Sequence, residues 1–271
     1  MLQALLTQNT NKREEDSMYK VTCVIGTRPE AIKMAPLLRL MKSDERFSLT
    51  ILSTGQHTDM LRQALHHFGI DADVKLNVMR ERQSLEYLTS AVLQGVSNFL
   101  QKDPQDMLLV HGDTTTTFGA ALAGFYRGVP IGHVEAGLRS HNMKLPFPEE
   151  ANRVLTDRLS SLFFAPTPWA AENLLREGTD SSQVFVTGNT VIDALFWTLR
   201  HLTPSEILKE IPEEAPLILM TAHRRESWGA PLTRICGAIK EIIERHPEVR
   251  ILLSLHKNPV VRETIFQELA E

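Results

Sequence analysis

Short apolar, β-rich runs alternate along the chain with segments whose apolar positions recur every three to four residues. The runs occupy 20–26 (KVTCVIG), 48–54 (SLTILST), 106–112 (DMLLVHG), 130–135 (PIGHVE), 162–166 (LFFAP) and 183–188 (QVFVTG). Helical patterns fill 29–42, 57–68, 84–102, 114–127, 148–161, 169–176 and 191–201. The strand runs are continuously apolar rather than alternating, which suits strands covered on both faces of a parallel sheet. A doubly wound α/β domain is therefore predicted over 18–188. The polar, proline-punctuated stretch TPSEILKEIPEEAP (203–216) reads as a linker, so that 189–212 is a connecting helix and linker. Beyond it the strand LILMTAH (217–223), a helix to about 245, the strand VRILLSLH (249–256) and a last helix begin a second α/β unit over 213–271. Two strands and two helices bury too little for a doubly wound domain, and the expectation is a second unit truncated at Glu271.

Ends and composition narrow the class. The opening MLQALLTQNTNKREEDSMYK has too short an apolar start for a signal-peptide core, and residues 1–17 read as a disordered extension. No segment reaches membrane-spanning length without charges. A net charge of −4 with no long like-charged block argues against a nucleic-acid partner and makes any basic site local. Cys23 and Cys236 fall in apolar and helical patterns, which suits small buried residues in a reducing compartment, by default the cytoplasm.

In open α/β sheets ligands bind beyond the carboxyl ends of the strands, and five such ends carry polar residues. In GTRPE (26–30) Gly26 permits close backbone approach, and the free amides with Arg28 would hold an anion such as a phosphate, Lys33 adding charge one turn on. A plain turn with solvated cations fits the same residues. No G-x-G-x-x-G occurs, so neither nicotinamide nor flavin is expected. In HGDTTTT (111–117) Asp113 stands where strand turns to helix, and a helix cap accounts for Asp113 or Thr114 equally well. His133 shares a strand face with Glu135, as His111 does with Asp113. Four such side chains could hold a metal, but these spacings are common by chance and no H-x-x-x-H or cysteine pair accompanies them. No metal is expected. Acid/base work is the other reading, grouped carboxylates in a dry cleft pushing each other's pKa values apart. Glu149, Glu150 and Arg153 follow Pro148 at a helix start, where one Glu caps the helix and the other faces the cleft; Arg153, four residues after Glu149, orients that carboxylate or binds substrate. AHRRE (222–226) and HKNP (256–259) add cations, as exposed charge or as a phosphate-facing wall. Carboxylates from one domain and cations from the other suit an anionic ligand such as a nucleotide diphosphate.

GTRPEAIKMAPL, HGDTTTT, GHVEAGLRS, PFPEEANR, TGNTVIDAL and HRRE, in this order, resemble the serial motifs of the non-hydrolysing UDP-N-acetylglucosamine 2-epimerases, from about Met18 to Glu271. The resemblance implies two Rossmann-like domains of GT-B type, a homodimer, no cofactor, and reversible conversion of UDP-GlcNAc to UDP-ManNAc for cell-surface polysaccharide. It implies elimination of UDP to 2-acetamidoglucal and re-addition. Carried over by motif, Asp113, Glu135, Glu149 and His223 are catalytic; Arg28, Lys33, Arg153 and His223 bind substrate. Gln56, Arg82, Glu150, Arg224 and His256 match positions at which some members bind a second UDP-GlcNAc as activator. Family members continue with a Ser-Gly-Gly loop and a following Glu that grip the nucleotide, so weak or absent turnover is expected of these 271 residues alone. A GT-B glycosyltransferase and a nucleotide-sugar-binding module without turnover are the alternatives.

Overall fold

The computed structural model describes residues 18–55, 58–78, 80, 83–203, 205–222, 228–255 and 258–269; the extension assigned to 1–17 lies outside them. The chain divides between His201 and Leu202 into two compact units.

In the first unit β1 (Tyr19–Ile25), β2 (Phe47–Ser53), β3 (Val74–Lys75), β4 (Met107–His111), β5 (Ile131–Val134), β6 (Leu162–Ala165) and β7 (Val184–Val186) form one sheet in the order β3-β2-β1-β4-β5-β6-β7, every pairing parallel. Between them run α1 (Arg28–Lys42), α2 (Thr58–His67), α3 (Leu85–Lys102), α4 (Thr115–Tyr126), α5 (Glu149–Leu159) and α6 (Pro168–Arg176), with α7 (Thr190–Arg200) after β7. The apolar runs become strands because successive side chains enter different cores. Cys23, Ile25 and Leu109 pack with Met34 and Leu38 of α1, Leu65 of α2 and Ala194 of α7. Val24, Leu108 and Val110 pack instead with Val92 and Val96 of α3 and Ala120 and Ala121 of α4. This is the doubly wound arrangement expected. From β1 the winding proceeds outward through β2 and β3, and from β4 outward through β7, so the loops after β1 and β4 diverge and open a crevice at their carboxyl ends.

The second unit pairs β8 (Leu217–Ala222) with β9 (Arg250–Leu255) in parallel, and α8 (Ala230–Arg245) and α9 (Pro259–Leu269) complete its small core of Leu232, Cys236, Val261 and Ile265. The apolar run of β8 suggests a strand covered on both faces. Instead Leu217, Ile218 and Leu219 are 42 %, 40 % and 67 % exposed, because two strands and two helices are too few elements to cover both faces. No described helix is long and apolar enough to cross a membrane.

Candidate active site

The crevice between β1 and β4 is organised by a residue that no strand-end reading singled out. Glu30, 2 % exposed in the first turn of α1, accepts the Gly26 and Thr27 amides on Oε2 at 2.8 and 2.5 Å. Its Oε1 accepts the hydroxyls of Thr114 at 2.6 Å and Thr117 at 3.2 Å. Burial raises the Glu30 carboxyl above its ordinary pKa, with these donors opposing. Two of the amides expected to hold a phosphate are thus taken by the protein's own carboxylate. T-x-x-E at 27–30, the capping-box spacing, was the available signal. Gly26 also serves packing rather than ligand approach: a Cβ there would lie 2.2 Å from Thr116 Oγ1 and 2.7 Å from Thr54 Oγ1. Gly26→Ala is expected to cost about 1–3 kcal/mol through overpacking, read as a lower urea midpoint with unchanged slope. Thr114, as the bland reading had it, caps α4 by accepting the Thr117 amide at 3.1 Å.

Glu135 follows β5 with φ +69°, a left-handed conformation that costs a non-glycine residue on the order of 1–3 kcal/mol and concentrates at functional sites. Its Oε1 accepts from Lys33 Nζ at 2.6 Å and from Asn189 Nδ2 at 2.8 Å. Burial opposes ionisation, but His111, Lys33 and Asn189 outweigh it and hold the carboxyl below its usual range. Asn189 escapes a linear reading. As the cap of α7 it accepts the Val191 amide on Oδ1 at 3.0 Å, and only the fold brings its amide to a residue 54 positions away.

Asp113 accepts a hydrogen bond from Arg153 Nη2, and Asn152 Nδ2 donates to the Asp113 carbonyl at 2.9 Å. Arg153 therefore orients Asp113 and also contacts Glu150 at 3.2 Å, rather than pairing with Glu149 as helical spacing suggested. Glu149, half-buried, has no hydrogen bond or ion pair among the described residues. Glu150 neither caps its own helix nor offers a surface to an activator. It is 1 % exposed, and its Oε1 accepts the Ser140 and His141 amides at 2.9 and 3.0 Å, anchoring the proline-bracketed loop. The proposed mutual repulsion of grouped carboxylates also gives way to charge pairing, since Asp113, Glu135 and Glu150 each face a cation.

Neither His133 nor Arg139 joins the crevice. His133 is fully buried with Nδ1 2.6 Å from Asp157 Oδ1 and Nε2 2.7 Å from the Gly112 carbonyl oxygen. Both nitrogens thus face oxygen atoms of the protein. Asp157 Oδ2 lies 2.7 Å from Arg139, whose guanidinium also grips Glu177 at 2.7 and 2.9 Å. This buried chain ties β5, α5 and the end of α6 together beneath the turn that carries Asp113. The four side chains weighed as metal ligands do not converge, and among the described residues no three His, Cys, Asp or Glu side chains are placed to hold a metal.

What remains open is a hollow of about 280 Å³ whose lining includes Thr27, Glu30, Lys33, His111, Asp113 and Glu135. It brings together three of the residues expected at the site: Lys33, Asp113 and Glu135. Arg28 lines a different hollow, of about 400 Å³, with His67 and Thr198. His223 and the activator positions Gln56, Arg82, Arg224 and His256 lie outside the described residues.

A doubly wound Rossmann-like sheet with paired carboxylates and cations at its switch point defines the class, an α/β protein with a polar hollow at the strand ends. The family model described as UDP-N-acetylglucosamine 2-epimerase matches residues 39–271. The chain belongs to this family, whose named members are isomerases. It is 46% identical over 254 residues to a UDP-N-acetylglucosamine 2-epimerase of Yersinia pestis, an alignment covering 91% of this chain and 68% of that protein. Its fold is similar to the crystal structure of UDP-GlcNAc 2-epimerase from Neisseria meningitidis bound to UDP-GlcNAc, with TM-score 0.84, 44% identity, and 93% and 70% of the two chains covered. It is likewise similar to a Staphylococcus aureus MnaA–UDP structure, with TM-score 0.85, 44% identity, and 94% and 67% covered. The chain thus spans about two thirds of the length of these relatives.

Proposed function

We propose that this protein interconverts UDP-GlcNAc and UDP-ManNAc at carbon 2 of the sugar, in the cytoplasm, supplying ManNAc units for cell-surface polysaccharide. Carbon 2 is not adjacent to a carbonyl, so its proton is hardly acidic and simple deprotonation is slow. Elimination avoids this. A carboxylate takes the C2 proton, the C1–O bond to UDP breaks with its electron pair leaving on UDP, and a C1–C2 double bond forms in 2-acetamidoglucal. Re-addition of UDP at C1 with a proton delivered to the opposite face of C2 yields the epimer. Developing charge on UDP is offset by cations.

The observation that carries this reading is Glu135, a carboxylate held ionised beside Lys33 at the switch point, in a chain whose Neisseria relative binds UDP-GlcNAc. Glu149, without a hydrogen bond or ion pair among the described residues, is the second proton-transfer group, and Asp113, oriented by Arg153, positions the sugar. Lys33 contacts the nucleotide; nucleotide contacts for Arg28, which lines the other hollow, and for His223, outside the described residues, rest on the motif resemblance alone. The active protein is a homodimer; a second UDP-GlcNAc acts as activator through Gln56, Arg82, Arg224 and His256, without Glu150.

Nucleotide-sugar binding without turnover is the second reading. Incubation with UDP-GlcNAc in heavy water, followed by NMR, separates the two. Deuterium at C2 together with UDP-ManNAc is expected from the chain joined to the remaining third found in its relatives. Binding with no deuterium incorporation in that longer protein would sink the epimerase reading, and an acceptor requirement would point to a glycosyltransferase.

A further inference from the structure

One polar side chain of the pocket has no part in the chemistry above. His111 ends β4, is 3 % exposed and lines the hollow, and neither ring nitrogen has a hydrogen-bond partner among the described residues. Leaving a buried imidazole unpaired is costly, so a group kept in that state has a use. Its nearest charged neighbour is Glu135, with Nε2 3.8 Å from Oε2.

The two oxygens of Glu135 are unequal. Oε1 is saturated by Lys33 and Asn189, whereas Oε2 accepts from no described residue. A proton therefore adds at Oε2, and His111 is the side chain facing it. The charged and titratable groups around the ring are Glu135 from the turn after β5, Lys33 from α1 and His133 from β5. Burial, aided by Lys33 and His133 and opposed by Glu135, pushes the ring down to about 4. Near neutral pH the imidazole is thus uncharged, with one nitrogen a donor and the other an acceptor. Besides the main chain of His111 itself, the described group that bears on which is which is the carboxylate of Glu135.

We propose that His111 is a positioning residue for Glu135: the carboxylate fixes the ring as its Nε2–H tautomer, and that N–H in turn holds Oε2 toward the hollow. This rests on the reading of Glu135 as a proton-transfer group. The 3.8 Å separation closes to a hydrogen bond by a small ring rotation, such bonds commonly being long before substrate binds. A neutral donor suits the task. It orients the lone pair without placing a second full positive charge against a carboxylate that already faces Lys33.

The test reads the ring directly, by NMR of the chain carrying ¹⁵N in its histidine rings, near pH 7, with the His111 signals assigned by their loss in His111→Gln. The Nε2–H tautomer is expected, and Glu135→Ala is expected to move both ring nitrogens toward a mixture of tautomers. An Nδ1–H ring in the unmodified protein, or ring signals unchanged in Glu135→Ala, would overturn the pairing. Should Glu135→Ala fail to fold, the tautomer of the unmodified protein still decides. Since the measurement needs no turnover, absence of C2 exchange in the longer protein together with a ring that responds in this chain would refute the epimerase reading and leave the pairing standing.

Discussion

Glu135→Gln is expected to slow hydrogen exchange at C2 of UDP-GlcNAc by about 10²–10⁴-fold, the usual contribution of a positioned proton-transfer group, while leaving UDP affinity nearly unchanged. The substitution keeps the shape of the side chain and an oxygen to accept from Lys33 and Asn189, so the turn after β5 should hold its geometry. Only the proton-accepting lone pairs of a carboxylate are lost. Because Glu135 is held below the ordinary carboxylate range, its base form is fully populated at neutral pH, and exchange should fall only as pH drops below the usual Glu value of about 4.3. Deuterium incorporation by NMR across a pH series measures both. A variant exchanging within twofold of the unmodified protein would remove Glu135 from the proton transfer.

A comparable effect on stability is expected at Asp157, which touches no part of the hollow. Asp157→Asn places an amide where Asp157 now receives His133, Arg139 and the Gly137 amide, so donors face donors in a fully buried place. Breaking a buried ion pair by removing one partner costs about 3–5 kcal/mol, and Glu177 compensates only Arg139. Chemical denaturation should show a loss of that size. Burial raises the Asp157 carboxyl but is outweighed by His133 and Arg139, which leave it below its ordinary value. The folded state therefore binds its proton less readily than the unfolded chain. The resulting stability is complete above the unfolded value of about 3.9 and is lost as pH falls through the folded one. The variant should accordingly lose stability less steeply in that acid window; an equal slope would show that Asp157 is not the titrating group.

The location of the site was legible in the sequence, and most of its wiring was not. Continuous apolar runs give parallel strands, parallel strands give a switch point, and this directs attention to Lys33, Asp113 and Glu135. Pairing depends on the path of the loop between β5 and α5 and on rotamers, which spacing does not encode. Arg153 satisfies Glu149 on a helical wheel, yet the turn after β4 carries Asp113 within its reach, and the Ser140 and His141 amides of the loop hold Glu150 inward. His133 shares a strand face with Glu135 only while the strand continues. The left-handed turn at Glu135 breaks that relation and leaves the histidine to Asp157. Glu30 was readable from T-x-x-E at 27–30, because a capping box is a local device.

The side chain of Glu30 in the mouth of α1 gives the turn after β1 a built-in occupant, and this sets how a charged guest is held. In phosphate-binding turns the backbone itself solvates the anion, a grip that varies little with ionic strength or side-chain identity. Here the Gly26 and Thr27 amides are already occupied, so a diphosphate near this turn would depend on cationic side chains. Such a grip weakens as salt screens it and distinguishes Arg from Lys. Adding glycines around residue 26 would therefore not turn this loop into a dinucleotide cradle while Glu30 remains, since the incoming phosphate would have to displace the side chain that already occupies the two amides.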